Sequence, residues 1–304
     1  MPSQLTRIAI LALSVALLLL SPAVAAAADT SLGIVGDLEY RSDTTSAVAA
    51  PSVSTADVEC GGGFPYVLGG GTTMNGIQVQ THIATSAPID SLLDTDDTPD
   101  NGWRGTMAND SGDPKDLTAF AICSTLQPDL RMKATTIPLK GDTTGTVTAK
   151  CAKKAHATGG GFLIGTANPQ MVHAIEDRPW DSDDRDKAPD DGWRARAFNN
   201  AGSTAELAAY VMCIRGGGLS YPRHGDSNDI LGIQVDVPCA EQASVTGGGM
   251  KISGPADEAY INASNPVDTK LDADSIPNNG WSGVGTTLNG RKKFTGYAIC
   301  YEAP

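Results

Sequence analysis

Aspartates that can bind a metal ion are concentrated in three short segments of the chain. Within each segment the carboxylates stand close together in a loop, which suits Ca²⁺ because this ion takes hard oxygen ligands. None of the segments matches the calcium loop that has a central Gly and a terminal Glu, so solvated acidic loops are the alternative interpretation. The candidate calcium ligands are Asp94, Asp96, Asp97, Asp181, Asp183, Asp184, Asp268, Asp272 and Asp274. No other cofactor is predicted.

Two histidines occupy the same position in a pattern that repeats along the chain. They are His82 and His173, each located shortly before a Pro, and Tyr260 stands at the third such position. If the strand that carries them faces a three-fold axis, two imidazoles and a phenol meet and form a metal-binding or pH-sensitive cluster. We favour the plainer interpretation, in which this strand position accepts either ring.

The tryptophans divide into two kinds. Three of them follow a Gly in equivalent places, which favours a core anchor in each repeat over an exposed platform for sugar rings. These three are Trp103, Trp193 and Trp281. Trp180 differs, because Ile89 and Val267 take its place elsewhere in the chain. It is flanked by Arg178 and Asp181, and we predict that these three residues form a ligand-binding site.

Self-comparison shows one pattern three times. Each copy contains a Cys, a Gly-Gly-Gly triplet, a Pro-x-x-Gly-Trp motif and an aromatic residue shortly before a second Cys. The landmarks keep almost the same spacing in each copy. We therefore divide this part of the chain into three β repeats, called the first, second and third copies, which cover residues 55–125, 126–215 and 216–304.

The pattern also predicts the strands within each copy. A short strand follows the Trp, and turn residues such as Asn109-Asp110 and Asn199-Asn200 come next. We therefore expect the Trp strand to form a hairpin with the strand that ends at the second Cys. This closing strand is apolar or small on both faces, which predicts a central position in a sheet. No Gly-Lys-Ser/Thr follows the glycine triplets, so they indicate a bulge or a close approach of a backbone or a Trp ring rather than a phosphate loop.

The six cysteines allow two schemes that respect the repeat. Pairing within copies gives Cys60–Cys123, Cys151–Cys213 and Cys239–Cys300. Pairing between copies gives Cys123–Cys151, Cys213–Cys239 and Cys60–Cys300. We favour the first scheme, because each small unit would otherwise lack a cross-link of its own.

The Cys, Gly-Gly-Gly, Gly-Trp and Tyr-Ala-x-Cys landmarks resemble a module found in secreted proteins of actinobacteria, most of them uncharacterised. The resemblance covers residues 55–301 and implies a secreted, disulfide-linked β module with no catalytic residues to transfer. The expected fold is all-β, with three tandem antiparallel repeats. The repeats are arranged either around a pseudo-three-fold axis, as in a β-prism, or as three small β-sandwiches.

Residues 1–28 have the features of a secretory signal peptide. Arg7 precedes an apolar run from Ile8 to Leu20, and Ala25 to Ala28 offer small-residue cleavage sites. The run is too short to span a bilayer, so we expect an extracellular protein that is not inserted in a membrane. A Ser/Thr/Ala-rich leader at residues 29–54 separates the signal from the first copy.

The amino-acid composition excludes some classes of function. The formal net charge of −13 argues against nucleic acid as a partner, because a phosphate backbone selects basic surfaces. We expect a non-enzymatic module that binds a glycan, a cell surface or a protein through three equivalent weak sites. A secreted hydrolase or hydrolase-accessory protein, and a structural envelope protein, are the alternatives. The acidic loops and tryptophans recur in every copy, which favours binding over a single catalytic centre.

Overall fold

The computed structural model describes residues 30–35, 37–76, 80–90, 98–125, 130–182, 186–228, 232–254, 259–269, 274–288 and 292–302. About 70% of this part of the chain is β-strand, with one short 3₁₀ helix at Pro169–Met171. The predicted signal peptide at residues 1–28 lies outside the described residues. Among the described residues, no helix is long and apolar enough to cross a membrane.

Strands β1 to β7 precede or belong to the first copy, and the second and third copies contribute β8–β13 and β14–β20. The first set is β1 Thr30–Val35, β2 Leu38–Val48, β3 Ser52–Glu59, β4 Tyr66–Met74, β5 Thr81–Ile89, β6 Gly102–Asn109 and β7 Lys115–Ser124. The second set is β8 Arg131–Leu139, β9 Thr143–Lys150, β10 His156–Gly165, β11 Val172–Trp180, β12 Gly192–Asn199 and β13 Ala205–Ile214. The third set is β14 Leu219–Ser220, β15 Arg223–Asn228, β16 Gly232–Pro238, β17 Ser244–Ser253, β18 Ala259–Val267, β19 Gly280–Thr287 and β20 Lys292–Tyr301.

Alternation of apolar and polar residues explains the strands. In β16, Ile233, Val235 and Val237 are buried, whereas Gln234 and Asp236 between them are exposed. Successive side chains of a strand point to opposite faces, so this pattern places one face against the core and the other in solvent.

The strands form three antiparallel sheets, and each sheet combines two copies. The strand order is β1-β2-β7-β4-β18-β19-β16 in the first sheet and β3-β6-β5-β10-β13-β8 in the second. In the third sheet it is β14-β20-β17-β11-β12-β9, with β15 also paired to β20. The copies join where β4 pairs with β18, β10 with β5 and β17 with β11. Because every copy shares a sheet with each of the other two, the arrangement is the predicted all-β, pseudo-three-fold one.

The predicted hairpin between the Trp strand and the closing strand is wrong. The Trp strand β6 lies in the second sheet and the closing strand β7 in the first, and the same separation holds for β12 and β13 and for β19 and β20. The side chain of Asn109 explains the difference. Its Nδ2 donates to the carbonyls of Val48 (3.0 Å) and Asp113 (2.9 Å), which holds a wide turn that carries the chain into the other sheet. Asn199 bonds in the same way to Leu139 and Ser203.

The closing strands β7, β13 and β20 are central, as predicted, because each has a paired strand on both sides. Their second cysteines form the disulfides Cys60–Cys123, Cys151–Cys213 and Cys239–Cys300. Pairing within copies is therefore confirmed.

At each glycine triplet the strand has a bulge and a tryptophan ring approaches the backbone closely. A register shift precedes the triplet in β4, β10 and β17. A Cβ on the middle glycine would lie 2.4 Å from the Trp193 ring at Gly160, 2.4 Å from the Trp103 ring at Gly70 and 2.3 Å from the Trp281 ring at Gly248. Real Cβ contacts are never so short, so only glycine allows the indole to lie flat on the strand. The bulge and the Trp approach are thus both present.

The first glycines of the triplets lie where the three copies meet. A Cβ on Gly69 would lie 2.2 Å from the carbonyl oxygen of Thr246, and a Cβ on Gly159 would lie 2.5 Å from that of Leu68. Each contact is made to a different copy, so this junction marks the pseudo-three-fold axis.

Residues 30–54, which the sequence places in a leader, are largely strand. They form β1, β2 and the start of β3, and β2 pairs with the closing strand β7 from Leu38 onward. Strand β2 holds the position next to the closing strand that β8 holds in the second sheet. The strands of the first copy therefore begin ahead of residue 55.

Candidate functional site

The outward faces of the three sheets can be compared residue by residue, because the strand pairings are equivalent. Directly paired residues lie on the same face of a sheet. One row of paired residues crosses the third sheet from β15 to β9. It consists of Arg223, Tyr297, Gly249, Arg178, Arg194 and Thr148. The equivalent row is Ala134, Tyr210, Gly161, Ala87, Arg104 and Asp57 in the second sheet. In the first sheet it is Ser42, Phe120, Gly71, Asn265, Ser282 and Asp236.

Neighbouring rows add to the charge of the third sheet. Lys251, Glu176 and Arg196 are paired two residues further along their strands, and Lys150 is paired through Gly192 with Trp180. We call Lys150, Arg178, Arg194, Arg196, Arg223 and Lys251 the cationic face. Glu176 is the one carboxylate in these rows. The equivalent rows hold one cation and two carboxylates in the second sheet and one carboxylate in the first, so the positive charge is specific to the third sheet.

Arg178 contacts three neighbouring groups of the cationic face. Its Nε donates to Glu176 Oε1 at 2.8 Å and its guanidinium also donates to the carbonyl of Pro179 at 2.9 Å. The guanidinium carbon lies 5.3 Å from the centre of the Tyr297 ring, within cation–π range. The ring is reachable because Gly249, which lies between the two strands, has no side chain.

Trp180 forms a second contact point of the face. Its ring centre lies 4.9 Å from Lys150 Nζ and 5.1 Å from the guanidinium carbon of Arg194. Arg194 Nε also donates to Thr148 Oγ1 at 3.3 Å. The aromatic ring therefore holds two cations in place, one from β9 and one from β12.

The cationic face carries more positive than negative charge. Burial lowers the pKa of Arg194, the charge of Glu176 partly offsets this, and the charge of Arg178 lowers it further. Among the residues that the structure describes, only Arg178 of the six cations makes an ion pair. A single glutamate cannot balance the charges around it, so the face is suited to bind an anion.

The structure brings two of the three predicted ligand-binding residues onto this face. Arg178 and Trp180 are two residues apart on β11 and therefore point the same way, whereas Asp181 follows the end of the strand. The sequence analysis missed Arg194 and Arg196. The available signal was a difference between the copies. The two positions are both Arg in the second copy, whereas they are Arg104 and Thr106 in the first copy and Ser282 and Val284 in the third. The contribution of Tyr297 had no such signal, because it comes from another copy.

The three repeated tryptophans are core residues, as we predicted. Trp103, Trp193 and Trp281 are completely or almost completely buried. The indole Nε1 of Trp103 donates to Ser86 Oγ and that of Trp281 to Ser264 Oγ, both at 3.0 Å. These rings are therefore not platforms for sugars.

In the second copy the partner of the tryptophan is an acid. Trp193 Nε1 donates to Asp177 Oδ1 at 2.5 Å. Burial raises the pKa of Asp177 well above its usual range, and the hydrogen bond from Trp193 opposes this only in part. The carboxyl lies on the inward side of β11, between the outward-facing Glu176 and Arg178. Burial there favours the protonated form of this carboxyl.

The rings of His82, His173 and Tyr260 do meet near the axis. The ring centres are 6.0 Å apart for His82 and His173, 5.8 Å for His82 and Tyr260, and 4.4 Å for His173 and Tyr260. Nε2 of His82 bonds to the carbonyls of Pro169 (3.0 Å) and Val172 (3.1 Å), so this nitrogen carries the hydrogen. Burial lowers the pKa of His82, which keeps the ring neutral.

The predicted calcium ligands are only partly described. Asp94, Asp96, Asp97, Asp183, Asp184 and Asp272 lie outside the described residues. Asp274 accepts a hydrogen bond from the backbone of Ile276 (2.8 Å), and Asp268 accepts one from Asn279 (3.4 Å). Among the described residues there is no group of three or more His, Cys, Asp or Glu side chains placed to hold a metal. Calcium binding stays a prediction.

The comparisons with known proteins leave the site to be interpreted from its own chemistry. No family model matches the chain, and no curated protein sequence matches it.

Proposed function

We propose that the protein is an extracellular, non-catalytic binding protein whose cationic face holds an acidic polysaccharide. The observation that carries the proposal is the row of Arg223, Arg178 and Arg194 across the third sheet. The equivalent positions in the other two sheets are neutral, except for Arg104, which is paired with Asp57. Secretion through the signal at residues 1–28 belongs to the same proposal, and the three disulfides fit an oxidising destination.

The shape of the face favours a chain over a compact ligand. The row crosses six strands, and neighbouring strands lie about 4.8 Å apart, so its cations extend over roughly 20 Å. A linear polymer with regularly spaced carboxylates contacts several of them at once. Arg178 and Arg194 are already held by Tyr297 and Trp180, which reduces the entropy that they lose on binding.

The rest of the molecule gives the face its selectivity. With a net charge of −13, the protein as a whole repels polyanions, and only a local excess of cations attracts them. This proposal replaces the three equivalent weak sites of the sequence analysis with one site. The groups gathered there are cations held by aromatic rings, and among the described residues they include no nucleophile paired with a base, so binding is favoured over catalysis.

Binding of the mature protein to polygalacturonate tests the proposal. Replacing both Arg194 and Arg196 by Gln is expected to weaken binding about tenfold, because two partly exposed ionic contacts are worth about 1.4 kcal/mol together. The matched control is Arg104→Gln, which removes the arginine at the equivalent position of the second sheet and is expected to leave the affinity unchanged. Neutral dextran should not bind.

Salt provides the second readout. Binding is expected to weaken steadily between about 0.05 and 0.5 M NaCl, because exposed charges are screened. If the double variant binds polygalacturonate as tightly as the wild type, or if the wild type does not bind it at low salt, the proposal is wrong.

A further inference from the structure

A separate cavity of about 250 Å³ opens beside the disulfide of the second copy. It lies at the edge strand β8 and not on the cationic face. Its lining is Arg131, Lys133, Ala152, Ala155, Cys213 and Arg215. The walls thus combine three cations with small or apolar groups.

The strand register brings the three cations together. Arg131 is paired with Cys213 across β8 and β13. Lys133 points to the same side as Arg131 because it is two residues further along, and Arg215 follows Cys213 by two residues. All three side chains are exposed to solvent. None of them makes an ion pair with a residue that the structure describes, so three like charges face one small space.

The first copy carries different residues at the equivalent positions. Glu39 and Arg41 pair with the closing strand at the positions of Arg131 and Lys133, and Thr125 takes the place of Arg215. Phe64 takes the place of Ala155, as shown by the same backbone bond, Phe64 N to Gly61 O at 3.1 Å and Ala155 N to Ala152 O at 2.9 Å. A phenyl ring thus stands where the second copy has a methyl group.

The third copy has the small residue without the cations. Ala243 N bonds to Ala240 O at 3.0 Å in the same turn. The positions of the three cations are held by Ser220, Pro222 and Glu302. Among the described residues, the small side chain and the three cations therefore occur together in the second copy alone.

We infer that this cavity binds a phosphate monoester group carried by a small molecule. Such a group carries a charge near −2 at neutral pH, which balances most of the charge of three cations. Two guanidinium groups can each donate paired hydrogen bonds to its oxygens, and the Lys133 ammonium adds a mobile donor. The small volume admits a fragment the size of a monosaccharide rather than a polymer.

Calorimetric titration of the mature protein with glucose 6-phosphate and with inorganic phosphate tests the inference. Saturable binding of the sugar phosphate is expected. Binding of both probes with equal affinity assigns the site to the phosphoryl group alone, and tighter binding of the sugar phosphate adds a contact to the sugar. Glucose and glucuronate are expected to bind at least tenfold more weakly. Tighter binding of glucuronate would overturn the inference, as would the absence of saturable binding by either phosphate.

Variants locate the site. Ala155→Phe reproduces the first copy and is expected to abolish binding without changing the charge. Arg215→Gln, at an exposed position, is expected to weaken binding at least tenfold and keeps the test decisive if Ala155→Phe does not fold. Arg223→Gln, in the cationic face, should leave binding of the sugar phosphate unchanged, which separates this site from the proposed polysaccharide site. Unchanged affinity in both Ala155→Phe and Arg215→Gln would show that the phosphate binds elsewhere.

Discussion

The three copies resemble each other on the inward faces of their strands and differ on the outward faces. On the inward face of β6, β12 and β19 the same residue, Trp, stands in every copy and lies on the middle glycine of a triplet. On the outward face, the next residue is Arg104, Arg194 or Ser282. Packing fixes the inward face, because a close-packed core tolerates little change of volume. Solvent leaves the outward face free to differ, so differences between equivalent outward positions are where a binding function is to be sought.

The largest expected effect tests the inward face. Gly160→Ala places a Cβ 2.4 Å from the Trp193 ring and 2.4 Å from the carbonyl of Tyr210. Neither group can move without disturbing the sheet, so we expect the free energy of unfolding to fall by about 3 kcal/mol. Chemical denaturation with urea measures this.

The equivalent glycines of the other two copies allow a direct comparison. Gly70→Ala and Gly248→Ala should cost the same to within about 1 kcal/mol, because their contacts are equivalent. Gly202→Ala is the control, since nothing lies within 4 Å of its Cβ position. Unequal costs among the three triplet variants would show that the inward face is less uniform than its geometry.

The three-fold repeat of the sequence explains which structural features could be predicted from it. Landmarks that recur three times identified the central closing strands, the disulfides and the close approach of the tryptophans to the middle glycines, because each of these depends on residues within one copy. Trp180 was found because it departs from Ile89 and Val267 at the same position, and Arg178 was found because it flanks Trp180. A departure from the repeat is therefore a usable signal for a site.

Two features could not be predicted from local spacing. The sheets are joined between copies, so the contact of Arg178 with Tyr297 has no trace in local spacing. The hairpin prediction failed for another reason. The Asn109-Asp110 turn is typical of a hairpin, but the Asn109 side chain bonds to Val48, far away in sequence, and that bond directs the chain into the other sheet.

A smaller effect is expected at Asp177, the inward position where the second copy departs from Ser86 and Ser264. The unfolded chain releases its proton near the usual pKa of 3.8, whereas burial raises the pKa in the folded protein. Folding thus becomes less favourable as pH rises above about 4. Asp177→Asn removes this penalty and keeps an acceptor for Trp193, so we expect about 1–3 kcal/mol of stabilisation at pH 7.

Denaturation at several pH values checks the direction of this pH dependence. The gain from Asp177→Asn should shrink towards zero at pH 4, where the acid is protonated in both states. Asp236→Asn, at an exposed outward position, is the control and should change stability by less than about 0.5 kcal/mol. A gain that is the same at pH 4 and pH 7 would contradict the idea that the penalty comes from a raised pKa.

The smallest expected effect concerns the axis, where the copies present His82, His173 and Tyr260. Burial lowers the pKa of His82 from 6.5, although its bonds to Pro169 and Val172 and the charge of Asp110 act in the opposite direction. As pH falls below 6.5, the unfolded chain gains a proton that the folded protein resists. His82 therefore contributes a loss of stability on acidification.

His82→Gln tests this contribution, because the Gln amide can still donate to the two carbonyls and does not titrate. Between pH 7 and pH 5 the variant should lose about 1 kcal/mol less stability than the wild type. His224→Gln changes an exposed ring on β15 and should keep the wild-type slope. If the slope of His82→Gln also equals that of the wild type, the buried ring at the axis does not resist protonation, and the loss of stability in acid comes from other titratable groups.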